Sequence, residues 1–101
     1  MKTIVVRYQT KPDRTDENIA LVENVFAELN EKNPEGFGYA TFVLEDGVSF
    51  MHVIVEHDGG NTPLTDFAAF REFVADVTDR CDVPPAPSGA RVVGSYNFFA
   101  R

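Results

Sequence analysis

The sequence contains no tryptophan and only one cysteine, Cys81. A single cysteine cannot form a disulfide within the chain, and a free cysteine is usually a small buried residue, so we expect Cys81 to be structural rather than reactive. No apolar run is long enough to cross a membrane, and the N-terminal MKTIVVRYQ lacks the pattern of a signal peptide. We therefore expect a cytoplasmic protein without a membrane partner.

Positive charge is also scarce, since nine Lys and Arg residues stand against sixteen Asp and Glu residues, for a net charge of −7. The basic residues are scattered along the chain. A surface that binds phosphates needs clustered Lys and Arg, so this charge distribution argues against a nucleic-acid partner. The length of 101 residues and the hydrophobic content of 44% predict one domain over residues 1–101, with its own core.

The first half of the chain predicts a strand, a helix and two further strands. TIVVRYQT is rich in β-branched residues and predicts the first strand. Apolar residues then recur at steps of three and four, as in an amphipathic helix, until Asn33-Pro34-Glu35-Gly36 ends the pattern. The residues of this stripe are Ile19, Val22, Phe26 and Leu29.

The segments FGYATFVL and VSFMHVIVEH predict two strands joined at Asp46-Gly47. Asp-Gly between such runs favours a two-residue hairpin turn with positive φ at both turn positions. This turn sets the register of the two strands. It predicts three cross-strand pairs: Val43 with Phe50, Thr41 with His52, and Tyr39 with Ile54.

The second half predicts a helix and a last strand. Thr62 can cap a helix that has Pro63 at its first position, and helical spacing continues from Phe67 to Cys81. DVPPAPSG should end this helix, because three prolines in four residues cannot continue it. ARVVGSYNFFA then predicts the last strand. The order βαββαβ indicates an α+β, ferredoxin-like fold, with a four-stranded antiparallel sheet covered by two helices on one face.

Alternation along the strands divides their side chains into two sets. We expect the set with Gly38 and Ala40 to face the helices, because these small residues leave room for helical side chains. The other set forms an apolar patch larger than a soluble monomer usually exposes, so we expect a second copy to cover it and the protein to be a homodimer. The first set is Gly38, Ala40, Phe42, Leu44, Met51, Val53 and Val55, with Ile4, Val6 and Tyr8; the second is Phe37, Tyr39, Thr41, Val43, Phe50, His52, Ile54 and Glu56, with Val5 and Arg7.

Three segments carry a resemblance to a known family: TIVVRYQTKPDRTDENIALVENVFAEL, PLTDFAAFREFVADV and VVGSYNFF. In this order they resemble the antibiotic biosynthesis monooxygenase-like proteins of the dimeric α+β barrel superfamily. The resemblance implies a homodimer whose two sheets form a barrel with the helices outside, and a pocket between sheet and helices. Some members use that pocket for cofactor-free oxidation of aromatic polyketides, and others degrade haem.

The resemblance does not extend to the haem-degrading members. Those proteins carry an Asn on the first strand, together with a Trp and a His that serve the haem. Here Arg7 lies in the middle of the first strand, the chain has no Trp, and the second helix has no His. We therefore expect neither haem nor another cofactor.

The candidate functional residues are one histidine and a group of mostly aromatic side chains. His52 is either a catalytic base or a hydrogen-bonded structural histidine in the interface, and the sequence leaves both open. His52 and Glu56 lie about 13 Å apart along a strand and His57 points to the other face, so we expect no metal site. The candidate ligand-binding residues are Tyr8, Phe42, Met51, Phe67, Phe70, Tyr96 and Arg7.

Three functional hypotheses follow. The first is a cofactor-independent monooxygenase acting on a small aromatic or quinone-type molecule, for which the protein would supply a base and a water-free pocket. The second is a protein that binds such a molecule without transforming it. The third is a dimer that serves only in interaction.

Overall fold

The computed structural model describes residues 1–60 and 63–98. It contains four strands and two helices in the order βαββαβ, which confirms the predicted ferredoxin-like α+β fold. Single 3-10 turns precede both helices and the last strand. The strands are β1 (Lys2–Thr10), β2 (Phe37–Val43), β3 (Ser49–Glu56) and β4 (Cys81–Ala90), and the helices are α1 (Thr15–Lys32) and α2 (Ala68–Ala75).

The four strands form one sheet in the order β2-β3-β1-β4, with every neighbouring pair antiparallel. The strands rich in Val and Ile, β1 and β3, are central, as expected for residues that pack well on both faces of a sheet. The three predicted pairs between β2 and β3 are confirmed: Val43 with Phe50, Thr41 with His52, and Tyr39 with Ile54.

Helix α1 packs its predicted apolar stripe on the sheet. Val22, Val25 and Leu29 are buried, while Ile19 and Phe26 are partly buried against the core. The helix ends at Asn33, as predicted. Asn33 has a left-handed φ of 50° and donates its backbone N–H to the Leu29 carbonyl at 2.7 Å. Asn tolerates this conformation better than most residues, which explains why the helix stops here.

The hairpin has the predicted register but a wider turn. The backbone N–H of Leu44 donates to the carbonyl of Ser49 at 2.8 Å, which leaves a four-residue loop at 45–48. Gly47 has a φ of 79°, and Asp46 does not have a positive φ, so the prediction of two such positions is wrong. The Asp46 carboxylate instead accepts two backbone N–H groups of the loop, at 2.8 and 3.0 Å, and so holds the wider turn.

The second helix is shorter than predicted, and the last strand begins earlier. Helix α2 ends at Ala75, and Cys81 is the first residue of β4 rather than the last of a helix. Residues 91–98 lie in neither a helix nor a strand, so the last strand predicted there is wrong. Thr62, the predicted cap, lies outside the described residues.

Three prolines lie within β4, at Pro84, Pro85 and Pro87. Helix α2 already ends at Ala75, so the prediction that these prolines end it is wrong, and they do not prevent a strand. β4 is an edge strand that pairs only with β1. A proline without an N–H is tolerated there because half of the backbone groups of an edge strand have no partner strand.

The helices cover the face of β2 and β3 that was predicted to be open. The side chains of Tyr39, Phe50 and Ile54 pack in the core with Tyr8 of β1. Antiparallel pairing requires this, because Tyr8 lies opposite Phe50, and residues paired across two strands share a face. The prediction was therefore right for β1 and wrong for β2 and β3.

The face without helices, called the outer face below, carries the other set. Arg7 pairs with Met51 across antiparallel strands, so it lies away from His52 rather than beside it. Phe42 pairs with Met51 from the other side. The outer face carries Val5, Arg7, Gly38, Ala40, Phe42, Met51, Val53 and Val55.

Candidate functional site

A chain of hydrogen-bonded side chains crosses the core under the two helices. Nε of Arg80 donates to Oδ1 of Asn18 at 3.0 Å, and Nδ2 of Asn18 donates to the hydroxyl of Tyr8 at 2.9 Å. The Tyr8 hydroxyl lies 2.8 Å from Nε2 of His52. Each of these four residues is at most 4% exposed. Polar groups this deep in a protein need hydrogen-bond partners, and each one here supplies the next.

Two hydroxyl groups of β2 approach the other ring nitrogen of His52. Nδ1 lies 2.7 Å from the hydroxyl oxygen of Tyr39 and 3.0 Å from that of Thr41. Thr41 is the residue directly opposite His52 in the confirmed register, and Tyr39 lies on the same face two positions along. His52 is thus bonded at both nitrogens within one subunit, and its predicted place in a wall between two sheets is wrong.

Arg80 brings a buried positive charge to one end of this chain. Nη2 donates to the Phe73 carbonyl at 2.7 Å, and the guanidinium lies over the Phe73 ring, 5.4 Å from its centroid. Within residues 1–60 and 63–98, no carboxylate forms an ion pair with Arg80. Neutral acceptors and an aromatic face therefore stabilise this charge, which is unusual for a buried cation.

Burial keeps the rings of the site neutral near pH 7. It lowers the pKa of His52 from 6.5 to about 4. Burial also raises the pKa of Tyr39 to about 12, and it raises the pKa of Tyr8 above its ordinary value more strongly. Low-polarity surroundings disfavour the charged form of each group. These rings therefore serve one another as neutral hydrogen-bond donors and acceptors, and none of them is an ionised base.

Aromatic contacts hold the two tyrosines in place. The Tyr8 ring stacks on Phe50, with centroids 5.2 Å apart and planes within 6° of each other. The Tyr39 ring stacks on Phe26 of α1 at 4.9 Å. Such pairs restrict ring orientation in addition to burying area. The hydroxyl groups around His52 consequently have little freedom to move.

A cavity of about 120 Å³ lies between α2 and the sheet beside these rings. Val74 of α2, which is 40% exposed, and Pro85 of β4 also line it, which places its opening between these two elements. A cavity of roughly 150 Å³ holds a benzene molecule, so this one fits about one small ring. Its lining includes Tyr8, Tyr39, His52, Ile54, Phe70 and Phe73.

A larger depression of about 480 Å³ lies between α1 and the β2 edge of the sheet. Glu23 and Asn30 line it beside apolar residues such as Phe26. It lacks the converging tyrosine and histidine side chains of the smaller cavity. Ligands with small rings bind in enclosed apolar spaces, and the smaller cavity is the more enclosed and the more apolar of the two, so it is the better candidate.

The structure brings together only part of the predicted site. Tyr8 and Phe70 line the cavity with His52. Phe67 is buried in the core but does not line the cavity. The other four lie elsewhere: Arg7, Phe42 and Met51 on the outer face, and Tyr96 in the C-terminal segment, where it is 89% exposed.

Sequence reasoning missed Asn18, Tyr39, Phe73 and Arg80 as members of the site. Tyr39 was detectable, because strand alternation places it on the same face as His52. Asn18 lies in the buried stripe of α1, and a polar residue in such a stripe is a signal of a buried hydrogen bond. Arg80 has no comparable signal, since its burial depends on the packing of distant segments.

Across the described residues, no three His, Cys, Asp or Glu side chains are grouped as metal ligands. The same residues contain no helix long and apolar enough to span a membrane.

Several solved structures have this architecture. One is an antibiotic biosynthesis monooxygenase, with 17% identity, a TM-score of 0.69, and coverage of 93% of this chain and 100% of that chain. Another is Rv0793 from Mycobacterium tuberculosis, with 14% identity, a TM-score of 0.70, and coverage of 93% and 96%. A third, from Bacteroides thetaiotaomicron, is provisionally assigned as an antibiotic biosynthesis monooxygenase and has 11% identity, a TM-score of 0.74, and coverage of 99% and 95%.

The sequence itself matches no protein-family model and no curated protein. At identities of 11 to 17%, structural similarity establishes the fold alone. This agrees with the resemblance carried by the sequence segments, which implied the same architecture. The chain therefore has the fold of the antibiotic biosynthesis monooxygenase-like proteins.

Proposed function

We propose that this protein binds a small aromatic or quinone-type molecule in the cavity beside His52. The observation that carries the proposal is a small apolar cavity lined by the rings of Tyr8, Tyr39 and His52 together with Phe70 and Phe73. Such a space favours a flat ring through burial and ring stacking, because the cavity is lined by carbon atoms while the polar atoms of these side chains bond one another.

Cofactor-free oxidation of the ligand is a second candidate, supported by the likeness to proteins named as monooxygenases. In this reaction a CH₂ group conjugated to a phenol becomes C=O. One atom of O₂ enters the product and the other leaves as water, so the substrate supplies all four electrons. The first step removes a proton from the substrate. His52 would accept it poorly, because burial lowers the pKa of His52 to about 4.

Binding can be tested with a substitution that blocks the cavity opening. Val74→Trp places a large ring at the opening, on a position that is already 40% exposed. Val83→Trp is the matched control, since Val83 is 50% exposed and does not line this cavity. NMR titration with tropone, a planar one-ring ketone, should show binding to the wild type and to Val83→Trp. We expect the affinity of Val74→Trp to fall about tenfold or more, as steric exclusion requires.

Failure of tropone and of phenol to bind the wild type would refute the proposal, as would equal binding by both variants. Oxygen uptake with a series of phenolic substrates tests the second candidate. Uptake by the wild type and by Val83→Trp that is lost in folded Val74→Trp would favour the enzyme. Binding without oxygen uptake would leave a binding protein.

We also propose that the protein is a homodimer, as the resemblance implied, but that it associates through the outer face. Phe42 is 42% exposed there, beside Met51 and Val53. Phe98 of the C-terminal segment lies beside part of this face, and soluble proteins seldom leave the rest of such an apolar sheet face uncovered. If a second copy packs on this face, the two sheets form a barrel with the helices outside, and the cavity under α2 stays accessible.

A further inference from the structure

The polar side-chain atoms of the residues that line the small cavity bond one another. The hydroxyl oxygen of Tyr8 lies 2.8 Å from Nε2 of His52 and accepts from Nδ2 of Asn18 at 2.9 Å. The hydroxyl oxygen of Tyr39 lies 2.7 Å from Nδ1 of His52. Among the residues that the structure describes, those that line the cavity expose only carbon atoms to it. A ligand inside the cavity therefore meets no hydrogen-bond partner from its walls.

Water can reach a ligand at the opening of the cavity. Val74 of α2, which is 40% exposed, and Pro85 of β4 lie at the opening, whereas Tyr8, His52 and Phe73 at the inner end are at most 5% exposed. The volume of about 120 Å³ holds one small ring, so a substituent on that ring has room only on the side of the opening. Water at the opening can bond an oxygen atom of the ligand as it does in free solution.

The two ends of the cavity therefore differ in what they cost an oxygen atom. A hydroxyl or carbonyl group at the inner end loses its hydrogen bonds to water and gains none in return, which lowers affinity roughly tenfold or more. The same group at the opening keeps its bonds to water. Carbon atoms at the inner end gain contacts with the buried aromatic rings and leave water at the same time.

We propose that the ligand lies with a bare carbon edge of its ring against Tyr8, His52 and Phe73, and with all of its oxygen atoms at the opening. This inference rests on the proposed function and narrows the class of ligand. Rings with one oxygen, or with two on neighbouring carbons as in catechols and ortho-quinones, satisfy the arrangement. Rings with oxygens on opposite carbons, as in hydroquinones and para-quinones, bury one oxygen without a partner and are selected against.

Catechol and hydroquinone test this selection, because they are isomers that carry two hydroxyl groups on neighbouring or on opposite carbons. NMR titration of the wild type without oxygen should give catechol an affinity about tenfold higher or more. The ratio of affinities is first divided by the ratio of the octanol–water partition coefficients, which removes the general difference in hydrophobicity. Val83→Trp should keep the corrected ratio, and equal corrected affinities in the wild type would overturn the inference.

The orientation of the ring can be measured with para-cresol, which carries a methyl group opposite its hydroxyl group. We expect nuclear Overhauser effects from this methyl group to the ring protons of Tyr8 and Phe73, and weaker effects to the methyl groups of Val74. Stronger effects to Val74 would place the hydroxyl group at the inner end and would also overturn the inference.

The outcomes distinguish failure of this selection from failure of the proposed function. If phenol and tropone bind and Val74→Trp excludes them, but catechol and hydroquinone bind equally, the cavity binds small rings without selecting the positions of their oxygens. If none of these probes binds the wild type, the proposed function fails, and the selection fails with it.

Discussion

The Tyr8 hydroxyl and Nε2 of His52 lie 2.8 Å apart on the two central strands. The two residues are diagonal neighbours, because Val6 lies opposite His52 and Tyr8 lies opposite Phe50. Diagonal pairs on one sheet face are within reach of aromatic side chains. The candidate site is therefore built on the two central strands of the sheet rather than on its loops.

Replacing His52 by Phe should destabilise the protein. Phe fits an aromatic core, but it leaves the hydroxyl groups of Tyr8, Tyr39 and Thr41 without their shared partner. Leaving buried polar groups unpaired costs about 1–3 kcal/mol, which we expect as a loss in the free energy of unfolding in urea. His57→Phe is the control, because His57 is exposed. Equal stability of the two variants would contradict the structural role of His52.

Stability should fall between pH 7 and pH 5 because of His52. Its pKa is about 4 in the folded protein against 6.5 ordinarily, so the unfolded chain binds a proton in this range and the folded protein does not. The tyrosines facing it, Tyr8 and Tyr39, stay neutral there. Linkage then lowers the free energy of unfolding by about 2 kcal/mol from pH 7 to pH 5. Urea unfolding of wild type and His52→Gln measures the difference, and parallel pH profiles would refute the prediction.

Replacing Gly47 by Val should destabilise the hairpin. Gly47 has a φ of 79°, which β-branched residues strongly resist, so we expect a loss of about 1 kcal/mol or more. Gly89→Val is the control, since Gly89 lies in β4 without a positive φ and has open space beside it. The two melting temperatures test this prediction, which fails if Gly47→Val melts no lower than Gly89→Val.

Introducing a charge on the outer face should prevent dimer formation. Val53→Asp places a carboxylate where the proposed interface is apolar, and burying an unpaired charge costs several kcal/mol. Ala20→Asp adds the same charge to an exposed position of α1. Sedimentation at micromolar concentration should give a dimer for wild type and Ala20→Asp, and a monomer for Val53→Asp. A monomeric wild type would disprove the dimer, and a dimeric Val53→Asp would place it on another surface.

The sequence predicted the order of elements and the register of β2 and β3, because these depend on local patterns. It misassigned the faces of those strands. Alternation separates two sets of side chains without showing which set faces the helices. The small size of Gly38 and Ala40 led to the wrong assignment. The pairing of Tyr8 with Phe50 settles the question, but it joins residues from distant parts of the chain.

Local patterns also failed to predict the last strand and the chain of hydrogen-bonded side chains. Pro84, Pro85 and Pro87 oppose a strand locally, and only the position of β4 at a sheet edge makes them acceptable. Arg80 and Asn18 are 62 positions apart, and no motif connects them. Their contact exists only because α1 and the turn before β4 pack together, so reasoning from local patterns could not have found it.

The prolines of β4 also give the sheet two unequal edges. Pro84, Pro85 and Pro87 of β4 have no N–H, and since successive N–H groups point to opposite sides of a strand, the open edge lacks at least one donor, whereas β2 at the opposite edge contains no proline. An exposed edge strand is a template on which another chain can pair, and proline is one of the residues that blocks it. Growth of the sheet by addition of a foreign strand is therefore disfavoured at β4, and any such aggregation would start at β2.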